Sequence, residues 1–229
     1  MSSTNKIFNL PKDGHIIMVN IGVIGYGYWG PNIVRNFNAI SGANVITVSD
    51  LLDENLQKAK TLYPFLKTTK SHQEVFDDKN IDAVAVITPV STHFPLAKEA
   101  LENGKHVFVE KPFTSNVKQA EELISLAEKN KKKIMVDHTF IFTGAVQKIK
   151  EIIESEDLGD LNYYDSTRVS LGLFQTDVNV IWDLAPHDFY IIDYLIKNNP
   201  KSLSAHGVDH IGGGFENIAY ITLDYEYEL

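Results

Sequence analysis

The sequence predicts an α/β protein, a doubly wound parallel sheet followed by an α+β region with an open, mainly antiparallel sheet. Three observations carry that expectation. From Val19 to about Val136, short apolar β-branched runs alternate with longer amphipathic segments. The runs AVAVIT and HVFV are apolar on successive residues rather than on every second one, the pattern of strands covered on both faces. The run NIGVIG leads into Gly25-Tyr26-Gly27-Tyr28-Trp29-Gly30, a glycine loop of the kind that turns a strand into a helix.

Taken in order, the strand candidates are Asn20–Gly25, Asn44–Ser49, Ala83–Thr88, His106–Val109 and Lys133–Val136. Helical patterns lie between and after them at Asn32–Asn38, Glu54–Tyr63, Phe94–Glu102 and Lys118–Asn130. Such regular alternation argues for a Rossmann-type doubly wound domain. The pattern changes after Val136, which places a boundary near residues 137–143. A helix from about Ala145 to Ser155 precedes an alternating stretch, Leu161–Leu171, and a second helix follows at about Leu184–Ile196. Two more strand candidates, Ser202–Asp209 and Glu216–Tyr227, flank Gly212-Gly213-Gly214 and suggest the open antiparallel sheet.

Composition excludes several function classes. The 229 residues are ordinary for a globular protein, 44% hydrophobic and 22% charged. The formal net charge of -9 repels a phosphate backbone, so nucleic acid is a poor partner. There is no cysteine, hence no disulfide framework, thiolate metal site or cysteine nucleophile, which suits a cytoplasmic protein. No apolar run approaches the roughly 18 residues needed to cross a bilayer, so no membrane partner is expected. No His/Asp/Glu cluster has metal-site spacing, and no serine sits in a nucleophile elbow. Residues 1–17 are polar and aperiodic, without the features of a secretion signal. They read as an N-terminal extension, with Met18 as the expected original start.

The glycine loop lies where its physics requires. The strand NIGVIG enters it and a helix begins within it. The first glycine permits the tight turn, the second lets backbone approach a pyrophosphate, and the third lets helix and strand pack closely. The helix N-terminus offers unpaired N–H groups to the phosphates, and Pro31 in the first turn forfeits little. Asp50, twenty residues beyond Gly30, ends the run VITVS. A carboxylate there can accept both ribose hydroxyls and repels a 2′-phosphate; with no arginine following, it favours NAD over NADP. The bland alternative is a tight turn beside an exposed strand-end Asp.

Three further groups fall at expected carboxyl ends of strands or at a helix start. Thr88-Pro89 closes the run AVAVIT, with His93 near the next helix; a Ser91/Thr92 cap beside a surface histidine is the competing reading. Glu110-Lys111-Pro112 follows HVFV, and a lysine near a nicotinamide's positive ring would have its pKa lowered, suiting proton transfer. A solvated charged loop would look the same; Pro112 would fix the backbone there, a cis bond being one way. Asp183 and His187, in WDLAPHD, stand at i, i+4; with Asp183 as N-cap and Pro186 in the first turn, they share a helix face. An Asp beside a His raises its basicity. A capping Asp with an unrelated histidine is the alternative.

In this order, the motifs GVIGYGYWG, Asp50, ITPVSTH, GKHVFVEKP and WDLAPHD resemble the Gfo/Idh/MocA oxidoreductases, over about residues 19–227. The resemblance implies NAD as cofactor and Lys111, Asp183 and His187 as the catalytic set around a reacting carbinol. Cofactor contacts would come from Gly25, Tyr26, Gly27, Tyr28, Trp29, Gly30, Asp50, Thr88, Pro89, His93 and Glu110. Within the family, GYGYWGPN with DVNVIWDLAPHD looks most like the nucleotide-sugar dehydrogenases, which oxidise the 3-hydroxyl of UDP-linked N-acetylated sugars or their uronates. That implies a small-molecule sugar or nucleotide-sugar substrate, with Arg168 and Asn179 as substrate contacts against a plain surface role. It also implies a dinucleotide-binding domain at 18–140 and a substrate and oligomerisation domain at 141–229. Family members usually exceed 300 residues, so the second domain is expected to be truncated; the family's homo-oligomer contact uses its sheet. A cofactor-binding protein without turnover, and an imine or dihydrodiol reductase of the same fold, are the competing functions.

Overall fold

The computed structural model describes residues 18–155, 157, 159–169 and 178–226. The expected extension over residues 1–17, the end of the alternating stretch at 170–171, and residue 227 lie outside the described residues. The chain divides into two compact units that separate between Met135 and Val136.

The first unit alternates strand and helix as its sequence pattern requires: β1 (Val19–Ile24), α1 (Gly30–Asn38), β2 (Ala43–Ser49), α2 (Asp53–Leu62), β3 (Lys67–Thr69), α3 (Gln73–Asp77), β4 (Ala83–Val86), α4 (Val90–Glu102), β5 (His106–Val109), α5 (Val117–Lys129) and β6 (Ile134–Val136). The sheet order is β3-β2-β1-β4-β5-β6, and β1 pairs in parallel with both β2 and β4. The chain therefore reverses its winding between β1 and β4, and the carboxyl ends of those strands flank the crevice where such sheets bind ligands. Val23, Val45, Val48, Val84, Ala85 and Val86 are fully buried, as expected for strands covered on both faces. Val34 of α1, Ala59 of α2 and Leu66 before β3 close the core around β1 and β2.

Two elements of this unit have no counterpart in the sequence reading. β3 is three residues, LysThrThr, and α3 is five; neither is long enough to show a period. β3 owes its strand to its neighbour, since Thr47, Val48 and Ser49 of β2 pair with Lys67, Thr68 and Thr69. α4 also begins at Val90, ahead of the expected Phe94, with Pro95 inside it.

The second unit holds a short 3₁₀ turn (Thr139–Phe142), α6 (Gly144–Ser155), α7 (Val180–Leu195), β7 (Ser202–Val208) and β8 (Ile218–Asp224). Its core is Val146 of α6 against Ile191 and Leu195 of α7, with Phe140, Ile153 and Tyr164 packed around them. β7 and β8 form an antiparallel pair. The alternating stretch expected as a strand is not one: residues 161–169 have no regular secondary structure. Alternation marks a strand only where a partner supplies the ladder. Here the stretch instead sends Ser166 and Arg168 onto α7.

α7 begins at Val180 rather than Leu184, and its cap is Asn179 rather than Asp183. The Asn179 Oδ1 accepts the Trp182 N–H at 3.0 Å, the usual N-cap bond. Asp183 falls in the first turn, where its charge suits the positive helix end, and Pro186 lies in the helix interior. The sequence reading placed Pro186 in the first turn, which set the helix start too late. Asn179→Ala is expected to cost about 1 kcal/mol of stability, read as a lower urea midpoint with unchanged slope.

Candidate active site

At the end of β1 the chain turns through the glycine loop. Gly25 has φ +96°, and a Cβ on it would lie 2.2 Å from the Ile87 carbonyl oxygen at the exit of β4. Gly30 begins α1, and a Cβ there would stand 2.8 Å from the Gly25 carbonyl oxygen. Those two glycines close the turn against protein. Gly27 differs: a Cβ on it would meet nothing within 4 Å. Its backbone faces open space at the crevice end of the sheet, the place a pyrophosphate would take. A dinucleotide therefore fits this cradle.

The side chains of the loop divide. Tyr26 is 1% exposed and packs into the core around β1, so its ring is structural and not a cofactor contact. Tyr28 is 93% exposed and stacks on Trp29, which is the residue before α1.

Asp50 follows β2 across the crevice. Its Oδ2 accepts the Tyr26 N–H at 2.6 Å, and its Oδ1 accepts the Leu52 N–H at 2.9 Å and the Asn55 side-chain N–H at 3.1 Å. The carboxylate thus holds the glycine loop itself, a role the spacing argument did not supply. Asn55, buried at the start of α2, is a further member of the site that sequence reasoning missed. Its only signal was its place, five residues beyond the strand-end Asp. Asp50→Asn is expected to weaken NADH binding about 10- to 100-fold by removing a charged acceptor, as read by NADH fluorescence titration.

The exits of β4 and β5 lie side by side, with the Glu110 N–H on the Val86 carbonyl at 3.1 Å. Thr88 accepts the Thr92 hydroxyl at 2.6 Å, and Pro89 is the residue before α4. His93 was expected to line the cleft, but it is 1% exposed. Its Nε2 stands 2.8 Å from the Thr88 carbonyl oxygen and its Nδ1 2.8 Å from that of Pro112. The ring ties together the loops that follow β4 and β5. Glu110 Oε2 accepts the Lys111 backbone N–H at 3.2 Å, Lys111 is half-buried, and the Lys111–Pro112 peptide is cis.

The second unit gathers its own group on α7. Asp183 and His187 stand one turn apart, and the His187 ring packs edge-on to Phe140 at 4.7 Å between centroids. His138, just past β6, stacks on Tyr190 of α7 at 4.0 Å; burial pushes its pKa below the usual range, against a smaller opposing effect of Asp137. Arg168 and Asn179 do not stand as free substrate contacts. Asn179 is the helix cap, and Arg168 is held on Asp188, its Nε at 2.7 Å from Oδ2 and its Nη2 at 3.2 Å from Oδ1. Burial would raise the Asp188 carboxyl, but the Arg168 and Ser166 hydrogen bonds and the guanidinium charge hold it below the usual range. Phe140, Asp188 and Tyr190 were not among the expected site residues, nor was His138, whose sequence neighbourhood offers no partner comparable to that of His187. His138 sits directly after a strand, the one signal that marked it.

A sheet in this order, with a glycine loop at its winding reversal and a carboxylate across from it, defines a dinucleotide-binding Rossmann protein. The chain belongs to the GFO_IDH_MocA family, whose model, described as "Oxidoreductase family, NAD-binding Rossmann fold", matches residues 19–138. NAD is accordingly the cofactor of this fold. The chain is 28% identical to the UDP-N-acetylglucosamine 3-dehydrogenase of Acidithiobacillus ferrooxidans, over 84% of this chain and 59% of that protein. It is 26% identical to the myo-inositol 2-dehydrogenase of Thermotoga maritima, over 82% and 58%. A solved structure, that of an NAD-binding protein from Listeria innocua, superposes with a TM-score of 0.79 at 26% identity, covering 90% of this chain and 63% of that one. The chain spans 51–63% of the length of the two dehydrogenases and other curated relatives of similar match.

Proposed function

We propose that the protein is an NAD-dependent dehydrogenase acting on a secondary alcohol of a sugar, at C3 of a nucleotide-linked sugar. The observation that carries this reading is the glycine cradle, closed against protein at Gly25 and Gly30 and open only at Gly27. The likeness to a UDP-N-acetylglucosamine 3-dehydrogenase supports the substrate. When bound, NAD supplies an acceptor for the hydride that leaves the carbinol carbon. The N–H groups at the start of α1 would hold its diphosphate, and Asp50 would hold its adenosine ribose. Thr88, Pro89 and Glu110 flank the nicotinamide end, and Tyr28 and Trp29 cover the loop. His187, with Asp183 raising its basicity, would take the hydroxyl proton, and Lys111 of the first unit is the remaining member of the proposed catalytic set.

A cyclic polyol is the second reading, favoured by the likeness to a myo-inositol 2-dehydrogenase. The test is to incubate the protein with NAD and a panel of UDP-sugars, free sugars and inositols, and to follow absorbance of NADH. Turnover confined to UDP-sugars supports the first reading, and turnover on inositols alone supports the second. Tight NADH binding with no turnover on any member would overturn both, in favour of a binding protein.

A further inference from the structure

Arg168 comes from a stretch with no secondary structure of its own, yet it is engaged on two sides within the second unit. Its guanidinium forks onto Asp188, the residue after His187, and lies over the Phe140 ring at 4.8 Å. Phe140 in turn packs against the His187 ring. The Ser166 hydroxyl donates to the same Asp188 carboxylate at 2.8 Å. One cation therefore holds both the backbone neighbour of His187 and the ring against which His187 rests.

We infer that Arg168 is a positioning residue for His187, acting through Asp188 and Phe140, and not a ligand of the substrate. The inference rests on the proposed proton-accepting role of His187. A planar guanidinium suits the task, because it can fork onto a carboxylate and stack on an aromatic face at once; a lysine cannot do both. Among the described residues of this unit, the charged and titratable groups nearest His187 along α7 and against its neighbours include Asp183 and Asp188 on α7, Arg168 on Asp188, and His138 with Asp137 against Tyr190. Removing Arg168 takes away a cation and releases the Asp188 carboxylate from its partner. Both changes favour the charged imidazolium, so the titration midpoint of His187 should rise.

The test compares wild type with Arg168→Met, Arg168→Lys and Phe140→Leu, each shown by circular dichroism to be folded. NMR of the imidazole side chains reads the His187 titration without any substrate. The midpoint is expected to move up in Arg168→Met, and to move less in Arg168→Lys, which keeps the charge but not the fork. With the substrate identified by the panel above, kcat should fall about 10- to 100-fold in Arg168→Met while KM stays within about twofold, the pattern of a misplaced catalytic group. Phe140→Leu should show the same split. A raised KM with kcat retained would make Arg168 a substrate contact and overturn the inference, as would an unmoved His187 titration. Absence of turnover in wild type would instead count against the proposed function, with the titration still deciding the placement of His187.

Discussion

His187→Ala is expected to lower kcat about 10²- to 10⁴-fold, the usual contribution of a positioned general base, while NADH binding is unchanged. The separation follows from the placement of the two functions. The cradle for the dinucleotide is built by β1, α1 and Asp50, all in the first unit, whereas His187 is carried by α7 in the second. Its ring packs on Phe140, so truncation also removes a contact, and urea unfolding must accompany the kinetics. Single-turnover measurements with saturating cofactor would isolate the chemical step. A variant that turns over within a few-fold of wild type would remove His187 from the proton path.

Gly25→Ala is expected to have the other large effect, on both stability and cofactor binding. A non-glycine residue at φ +96° carries strain of about 1–3 kcal/mol. The new methyl would also fall 2.2 Å from the Ile87 carbonyl oxygen, which is backbone and sits at the exit of a central strand. Neither side can yield without separating β1 from β4. The urea midpoint should drop, and the NADH fluorescence titration should show no saturable binding. Gly27→Ala offers the contrast: its Cβ meets no protein atom, so stability should hold while NADH binding is lost. Equal behaviour of the two variants would mean that the open side of the loop is not where the diphosphate lies.

Most of the first unit was legible in the sequence because each of its long elements carries its own signature. Short apolar β-branched runs marked β1, β2, β4, β5 and β6, continuous in β4 and β5, and the glycines marked the turn at the carboxyl end of β1. β3 and α3 were not legible, since three and five residues hold no period and β3 exists through its pairing with β2. In the second unit, local patterns misled where tertiary partners decide. The alternation expected over Leu161–Leu171 looked like a strand, but within the described 161–169 Ser166 and Arg168 bond to Asp188 of α7. Pro186 looked like a helix start, but Asn179 offered the better cap. Of the site, Gly25, Gly27, Gly30 and Asp50 stand where their spacing put them. His93 did not, because a sequence marks a residue as near a strand end without saying which way its ring points. The surroundings of His187 were hidden for the same reason: Phe140 meets its ring only after folding, and Arg168 reaches Asp188 and Phe140 rather than His187 itself.

The three N–H groups already on Asp50 have a consequence for how the ligand arrives. A carboxylate offers roughly four acceptor positions, so one remains for the two hydroxyls of an incoming adenosine. The loop is thus tied to Asp50 through the Tyr26 N–H before it is filled, and part of the ordering that binding would otherwise require is complete beforehand. If Asp50 takes both ribose hydroxyls as proposed, it must loosen its grip on its own backbone, setting tightness of hold against readiness to release.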